Sequence, residues 1–227
     1  MTTAFITGAT GFIGSHVAAR LLEKGWNVRA LRRSGTLSPH IERLDVEWRE
    51  GDIRDFDQVR SCMAGCKVLF HVAADYRLWA KNPAEIYETN VTGTANVLRA
   101  AHLSGVKRVV YTSSVGALGL KSDGTPADET TPVDIKDMIG HYKKSKFLAE
   151  REAERFLAQG LPVVIVHPST PVGPGDHKPT PTGKIIVDFL NGRMPAYLDT
   201  GLNLVHVKDV AEGHLLALER GGIGQKY

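Results

Sequence analysis

AFITGATGFIG, residues 4–14, is the stretch that decides the fold, because it joins a short apolar strand to a helix through a glycine turn. Glycine recurs at positions 8, 11 and 14, and the helical pattern that follows is expected to end near Gly25. Backbone amides at such a helix start attract phosphate, and absent side chains let the phosphate approach. Glycines also occur in plain turns, but a strand before and a helix after them predict a dinucleotide site.

Strand and helix patterns alternate along the rest of the chain. Strands are predicted near residues 3–7, 27–31, 45–50, 67–72, 106–112 and 161–167, and helices near 12–24, 55–63, 83–103, 139–159 and 208–219. Such alternation is typical of parallel strands joined by right-handed helical crossovers. We therefore expect an α/β fold, a Rossmann-type doubly wound parallel sheet with helices on both faces.

Composition and charge favour a protein with a small-molecule partner. The 227 residues carry a net charge of +3, and the basic residues are scattered among carboxylates, so no nucleic-acid-binding stripe is expected. No apolar run reaches the roughly 18 residues of a membrane span. Met1 directly precedes a strand rather than a signal peptide, so we expect a cytoplasmic protein. Cys62 and Cys66 have no second cysteine pair or histidine cluster beside them, so we predict no metal site.

A tyrosine and a lysine, Tyr142 and Lys146, stand four residues apart in a predicted helix and so share one face of it. A nearby ammonium favours a phenolate, so we expect Lys146 to lower the pKa of Tyr142 from its ordinary value of about 10. The same spacing occurs on many solvated helices. It gains meaning from the run VVYTSS at 109–114, which ends in hydroxyls at a strand's carboxyl end, where doubly wound sheets bind ligands.

The glycine turn, Ser114 and the Tyr142 to Lys146 pair together resemble the extended short-chain dehydrogenase/reductase family, over nearly the whole chain. Further landmarks of that family match in order at residues 51–55, 71–74, 90–94, 168–175 and 204–210. More narrowly, residues 71–79 and 168–192 resemble bacterial hopanoid-associated sugar epimerases, which are relatives of dihydroflavonol reductases.

The resemblance implies a catalytic set. Tyr142 would supply a proton to the substrate oxygen, Ser114 would hold that oxygen, and Lys146 would lower the pKa of the tyrosine and hydrogen-bond the nicotinamide ribose. Ser113 is the competing hydroxyl. Asn90 is expected either to bind a water that links Lys146 to solvent or to brace its own helix.

The resemblance also implies the residues that contact cofactor and substrate. The expected cofactor contacts are Gly8, Thr10, Gly11, Phe12, Ile13, Gly14, Arg32, Arg33, Asp52, Ile53, Ala73, Ala74, Asn90, Thr112, Tyr142, Lys146, Pro168 and Thr170. The expected substrate contacts are Asp75, Tyr76, Ser114 and His167, with Arg77, Trp79, His141 and Lys178 as further candidates.

Cofactor preference is predicted from the end of the second strand. NAD-using relatives carry an aspartate there for the adenosine ribose, whereas this chain has Arg32, followed by Arg33. A guanidinium suits a 2′-phosphate, so we favour NADP, with NAD as the alternative. Asp52 is expected to lie near the adenine.

The net reaction is less constrained. Val115 and Gly116 follow Ser114 where the family's sugar dehydratases place acidic residues, so dehydration is disfavoured. Reduction of a ketone or aldehyde and epimerisation of a nucleotide sugar both remain open, since the arginines favour a reductase and the closer resemblance favours an epimerase. A non-catalytic NADP-binding sensor or scaffold is the alternative, against which the retained Ser114, Tyr142 and Lys146 argue.

Two parts are expected along the chain. Residues 1–167 would form an NAD(P)-binding domain, and residues 168–227 a partial substrate-binding lobe interleaved with the last Rossmann elements. Six prolines between 168 and 195 predict loops, and the end at 224–227 resembles an unfinished strand. Family members usually continue with further substrate-lobe helices. They often form homodimers through the helices predicted here near 83–103 and 139–159.

Overall fold

Six parallel strands form the central sheet. The computed structural model describes residues 2–35, 38–196 and 199–227. The strands are β1 (Thr3–Thr7), β2 (Asn27–Arg32), β3 (Glu47–Glu50), β4 (Val68–His71), β5 (Arg108–Thr112) and β6 (Val163–Val166). Their spatial order is β3-β2-β1-β4-β5-β6, which is the order of a dinucleotide-binding doubly wound sheet. The predicted fold class is confirmed.

Helices cover both faces of the sheet. They are α1 (Phe12–Glu23), α2 (Pro39–Glu42), α3 (Phe56–Met63), α4 (Ala84–Tyr87), α5 (Gly93–Leu103), α6 (Gly140–Ala158), α7 (Pro181–Leu190) and α8 (Val207–Arg220). Helices α1 and α8 pack on one face, and α3, α5 and α6 on the other. Neighbouring side chains of a strand alternate between faces, so Phe5 and Ile6 of β1 enter separate clusters and both are fully buried.

A π-helical turn interrupts the helix predicted over 83–103. Residues Glu88–Thr92 form this turn between α4 and α5. Single π-helical turns occur frequently at functional sites, because the extra residue redirects a side chain. Asn90 lies within this turn and is buried.

The proline-rich region after β6 is more regular than predicted. Strand β7 (Thr170–Val172) pairs in parallel with β8 (Leu204–His206), and α7 follows β7. The prediction of loops in this region is therefore only partly correct, because it contains two strands and a helix. Pro181 occupies the first turn of α7, where the missing amide hydrogen costs nothing, and the Thr180 hydroxyl caps the helix by accepting from the Gly183 amide at 3.1 Å.

The last residues extend the sheet beside β6. The Gly224 amide donates to the Val163 carbonyl at 2.8 Å, and the Tyr227 amide donates to the Ile165 carbonyl at 3.1 Å. Lys226 forms a parallel bridge with Ile165. The strand-like end expected from the sequence thus makes ladder contacts on the outer edge of β6.

None of the helices in the described residues is both long and apolar enough to cross a membrane. The homodimer expected through α5 and α6 stays a prediction, as does the cytoplasmic location.

Candidate active site

The glycine turn after β1 is shaped by close backbone contacts. Gly8 has a φ of 79°, and a Cβ at this position would lie 2.6 Å from the Ala73 backbone nitrogen. A Cβ at Gly14 would lie 2.1 Å from the Gly8 carbonyl oxygen. Glycine is therefore required at both positions, because any side chain would push α1 away from β1 and β4.

The start of α1 is suited to a pyrophosphate. Gly11 is the N-cap residue with an extended backbone and is exposed, while Thr10 beside it is also exposed. Gly11 has no side chain that could cap this helix, and the first turn, which begins at Phe12 and Ile13, contains no acidic residue. First-turn amides left without a side-chain acceptor and the positive end of the helix dipole both favour a bound anion. The predicted dinucleotide contacts therefore fit the geometry of this turn.

Three consecutive residues at the end of β5 contact three positions on α6 that follow one another at intervals of four. The Lys146 ammonium donates to the Thr112 carbonyl at 2.8 Å. The Ser113 hydroxyl donates to the Glu150 carboxylate at 2.5 Å. The Ser114 hydroxyl lies near the Tyr142 phenol and acts to lower its pKa. These pairings distinguish the two serines, because the hydroxyl of Ser113 is engaged by Glu150 and that of Ser114 faces the tyrosine.

Burial sets the charge properties of the Tyr142 and Lys146 pair. Burial lowers the pKa of Lys146 to about 8, and the nearby Glu150 charge opposes that decrease. Burial raises the pKa of Tyr142, and the nearby Ser114 hydroxyl only partly offsets this. The net decrease expected for the tyrosine pKa is therefore wrong for the protein alone, since desolvation of the phenolate dominates.

Glu150 lies at the centre of a buried cluster that sequence reasoning missed. Burial alone would raise its pKa, but the donors His167, Lys226 and Ser113 lower it to about 2. His167 Nε2 lies 2.8 Å from the carboxylate, and the Lys226 ammonium lies 2.6 Å from it. The available signal was position, since Glu150 follows Lys146 by four residues and so shares its face of α6.

The predicted substrate contact through His167 is wrong. Its side chain is only 1% exposed and is directed towards Glu150. A histidine at the end of a buried strand can pair with a carboxylate on the helix that covers that strand. Here the Glu150 carboxylate on α6 contacts both His167 and Ser113.

Asn90 braces the loop after β4 against α6. Its side-chain oxygen accepts from the Asp75 amide at 2.7 Å, and its side-chain nitrogen donates to the Asp75 carbonyl at 2.9 Å and to the Ser145 hydroxyl at 2.8 Å. Ser145 in turn donates to the Tyr142 carbonyl at 2.7 Å. Of the two roles left open by the sequence, the structure shows the bracing one.

The remaining substrate candidates lie around the rim of the site. Asp75 forms an ion pair with Arg77 at 2.6 Å, and Arg77 also reaches Glu85 at 3.0 Å. Although burial opposes it, Arg77 lowers the pKa of Asp75. Tyr76 is exposed after β4, where the partly buried Ala73 and Ala74 form the wall. The other candidates, Trp79, His141 and Lys178, are exposed.

Arginines surround the end of β2 and the loop after β3. Arg32 donates to the Gly35 carbonyl at 2.8 Å. Asp52 pairs with Arg54 at 2.7 Å, which lowers the pKa of Asp52, and the exposed Arg33 lowers it further. The adenosine end of the expected cofactor site is therefore rich in guanidinium groups.

Four other expected cofactor contacts have separate structural roles. Ile53 is buried in the core, where it packs so closely on Gly93 that a Cβ there would lie 2.8 Å from it. The Thr112 hydroxyl bonds His214 at 2.9 Å, so its side chain faces α8. Both side chains fill the protein interior, and the cofactor contacts expected at these two positions stay predictions. Pro168 accepts from the Val115 amide at 3.2 Å, and the Thr170 amide donates to Asn203 at 3.0 Å within the β7 and β8 pair.

Within the described residues, no group of three His, Cys, Asp or Glu side chains is arranged to hold a metal ion. Burial raises the pKa of both Cys62 and Cys66, and both are free thiols.

Comparison with known proteins identifies the family. Residues 4–227 match the NAD dependent epimerase/dehydratase family. The chain belongs to this family. The match confirms the resemblance found in the sequence, and it agrees with the strand order and with the glycine turn at the switch between β1 and α1.

Several known proteins are similar to nearly the whole chain. A putative dihydroflavonol 4-reductase from Synechocystis is 51% identical over 217 residues, which cover 96% of this chain and 63% of that protein. The crystal structure of gox2253 is 54% identical with a TM-score of 0.95, and the match covers all of this chain and 69% of that one. The Thermus thermophilus UDP-glucose 4-epimerase in complex with NAD is 28% identical with a TM-score of 0.85, covering 100% and 76% of the two chains. The chain thus spans less than two thirds of the Synechocystis protein.

Proposed function

We propose that this chain provides the cofactor site and the catalytic residues of an NAD(P)-dependent oxidoreductase that acts at a carbinol or carbonyl centre. The observation that supports this most strongly is the set of contacts between the end of β5 and one face of α6. It puts the Ser114 hydroxyl beside the Tyr142 phenol and places Lys146 one turn further along α6. A chain that only bound the dinucleotide as a sensor or scaffold would have no need for this arrangement.

Each residue has a distinct task in carbonyl reduction. Bound NAD(P)H supplies the hydride. Burial keeps Tyr142 protonated at neutral pH, so its phenol is the acid that protonates the substrate oxygen as negative charge develops there. Ser114 donates a hydrogen bond to the same oxygen. Lys146, which is mainly charged below a pKa of about 8, stabilises the phenolate left on Tyr142.

Reduction is the favoured net reaction. The relative from Synechocystis that is 51% identical is named as a reductase, whereas the named UDP-glucose 4-epimerase is 28% identical. Epimerisation of a nucleotide sugar is the second candidate, supported by that epimerase's similarity over the entire chain. The two reactions differ in cofactor balance, because a reductase consumes NAD(P)H, whereas an epimerase reduces its bound NAD(P)⁺ and then oxidises it again, with no net change.

Mass spectrometry of cofactor and product tests both candidates. The enzyme is incubated with NADPH and aromatic ketones, or with NADP⁺ and nucleotide sugars because epimerisation begins by oxidising the sugar. Stoichiometric loss of NADPH is expected with a ketone. Product without net loss would instead identify an epimerase. We expect Tyr142→Phe to lower kcat by about 100-fold or more, since general acid catalysis contributes on that order. Tyr227→Phe, at an exposed tyrosine on the sheet edge, is the matched control. Wild-type turnover by Tyr142→Phe would contradict the catalytic assignment.

NADP is the proposed cofactor, because Arg32 ends β2 and Arg33 follows it, where an acidic residue would select NAD. The adjacent Asp52 is already paired with Arg54. Binding is measured by fluorescence titration with NADPH and NADH. We expect Arg32→Ser to weaken NADPH by about 10-fold to 100-fold, the value of one or two charged hydrogen bonds, with NADH unchanged. Arg60→Ser on α3 is the matched control. Equal weakening of both dinucleotides would argue against a 2′-phosphate contact.

A further inference from the structure

A chain of buried polar groups runs from Lys146 beneath the carboxyl edge of the sheet. The Lys146 ammonium donates to the Tyr111 hydroxyl at 3.3 Å and lies 5.0 Å from the centroid of the Tyr111 ring. Thr94 lies near the Tyr111 phenol and acts to lower its pKa, and Thr94 Oγ1 lies 2.9 Å from His71 Nε2. His71 Nδ1 lies 2.7 Å from Thr7 Oγ1. The chain therefore joins α6 to β5, α5, β4 and β1.

The first and last members of this chain belong to the two halves of the site. Thr7 directly precedes Gly8, and its hydroxyl accepts from the Ala73 amide at 3.3 Å. Thr7, His71 and Thr94 are almost completely buried, as is Tyr111, so their polar groups are shielded from bulk water. A buried network that is fully satisfied holds its members in a fixed arrangement.

Two acceptors on β5 hold the lysine from the same side. Thr112 offers its carbonyl, and the preceding Tyr111 offers its hydroxyl and the face of its ring. An ammonium has three hydrogens, so these two contacts leave one for a further acceptor. An acceptor for an ammonium favours the charged form, so the Tyr111 hydroxyl works against the desolvation of Lys146.

We propose that Tyr111 is a positioning residue for Lys146, which holds the lysine ammonium in place and in its charged form through a buried chain anchored at Thr7. This rests on the proposed function for its consequence in catalysis, but the charge state of Lys146 can be measured without turnover. A tyrosine at this position is separate from the serine, tyrosine and lysine set, and its role comes from its hydroxyl rather than its bulk.

Other groups also face the lysine and set its charge. Glu150, on the next turn of α6, raises the pKa of Lys146. His71 on β4 remains neutral, because burial and then the lysine charge lower its pKa to about 3. Tyr142 lies one turn before Lys146 on α6, and burial raises the pKa of both Tyr142 and Tyr111, so both phenols are uncharged at neutral pH. Glu150 is thus the ionised partner among these groups, and the hydroxyl of Tyr111 adds a neutral acceptor.

The test is an NMR titration of the Lys146 side chain in protein labelled with ¹³C at the lysine ε-carbon. The resonance is assigned by its loss in Lys146→Met. For the wild type we expect a midpoint near pH 8. Tyr111→Phe keeps the ring and removes the hydroxyl, so the midpoint is expected to fall by about one pH unit, the scale of one hydrogen bond to a charge. Tyr227→Phe, whose hydroxyl accepts from the Gly222 amide at the surface, is expected to leave it unchanged.

A second variant, Thr94→Val, keeps the proposal testable if Tyr111→Phe does not fold. Thr94→Val removes the hydroxyl that links Tyr111 to His71. We expect it to lower the Lys146 midpoint by less than Tyr111→Phe does, because Lys146 retains its direct acceptor. A midpoint that stays within 0.2 pH unit of the wild type in both folded variants, about a fifth of the expected effect, would overturn the proposal.

Turnover separates this proposal from the proposed function. If the enzyme is active, the basic limb of its kcat/KM profile moves to lower pH in Tyr111→Phe together with the NMR midpoint. A basic limb that stays in place while the Lys146 midpoint moves would contradict the proposed catalytic use of Lys146 and leave Tyr111 as its positioning residue. A packing defect alone would lower stability without moving either midpoint.

Discussion

Acid should weaken the fold through two histidines that are buried in neutral form. His71 and His214 are at most 1% exposed, and burial lowers their pKa values to about 3 and about 4. Each ring is hydrogen-bonded at both nitrogens, His71 to Thr7 and Thr94 and His214 to Thr112 and the Val210 carbonyl. A neutral imidazole has one donor and one acceptor nitrogen, so protonation would disturb both networks.

The direction follows from comparing the folded and unfolded states. An unfolded histidine titrates near pH 6.5, above both folded values, so the unfolded chain takes up protons first as the pH falls. The stability that these histidines contribute is complete above pH 6.5 and is lost as the pH falls from there towards 4 and then 3. At pH 5.5 protonation of each histidine in the unfolded chain lowers the free energy of unfolding by about 1.4 kcal/mol. His71 and His214 together therefore lower it by about 3 kcal/mol.

Urea unfolding followed by circular dichroism measures this loss at pH 7.5 and 5.5. We expect the free energy of unfolding to fall by about 3 kcal/mol with little change in the slope against urea. His71→Gln retains hydrogen-bonding atoms but does not titrate, so about half of the pH-dependent loss should disappear in that variant. His102→Gln, at an exposed histidine of α5, should keep the whole loss. A loss of less than about 1 kcal/mol in the wild type would refute the reasoning, since that is below one buried histidine.

Two further predictions concern backbone and side-chain contacts that shape the site. Gly14→Ala should abolish dinucleotide binding in a fluorescence titration, because its Cβ would lie 2.1 Å from the Gly8 carbonyl oxygen. Gly213→Ala, within α8 and with open space around its Cβ, should leave binding intact and stabilise the protein by about 0.5–1 kcal/mol. Asn90→Ala should lower the free energy of urea unfolding by about 1–3 kcal/mol, because it leaves the Asp75 amide without its acceptor. An unchanged stability would show that water replaces that contact.

Local sequence patterns predicted the central fold well. Each of the six strands of the central sheet was expected within two residues of its observed ends. For β1, β4, β5 and β6 the reason is that buried parallel strands read as short apolar runs between turn residues. Helix α7 was not predicted, since Pro181 is common in loops and also at the first turn of a helix. The π-helical turn at Glu88–Thr92 was missed for a related reason, because its sequence keeps an ordinary helical pattern.

Predictions for the site succeeded where spacing along one element was enough. Tyr142 and Lys146 share a face of α6, as their interval of four residues requires. The choice between Ser113 and Ser114 needed more, since adjacent residues of an extended chain point in opposite directions and only the packing of α6 shows which hydroxyl meets which partner. His167 was predicted to contact the substrate for the same reason, since the sequence does not show that its side chain meets Glu150 on α6.

The sequence by itself determined the glycine turn, the parallel sheet and the stripe of Tyr142 and Lys146, because these depend on residue type and on intervals within one turn, strand or helix. Only the tertiary structure decided the direction of the tyrosine pKa, the engagement of Ser113 by Glu150 and the chain from Tyr111 to Thr7. Those features join residues that are far apart in sequence and buried together. Desolvation and hydrogen bonding act there between side chains that no local pattern brings into contact.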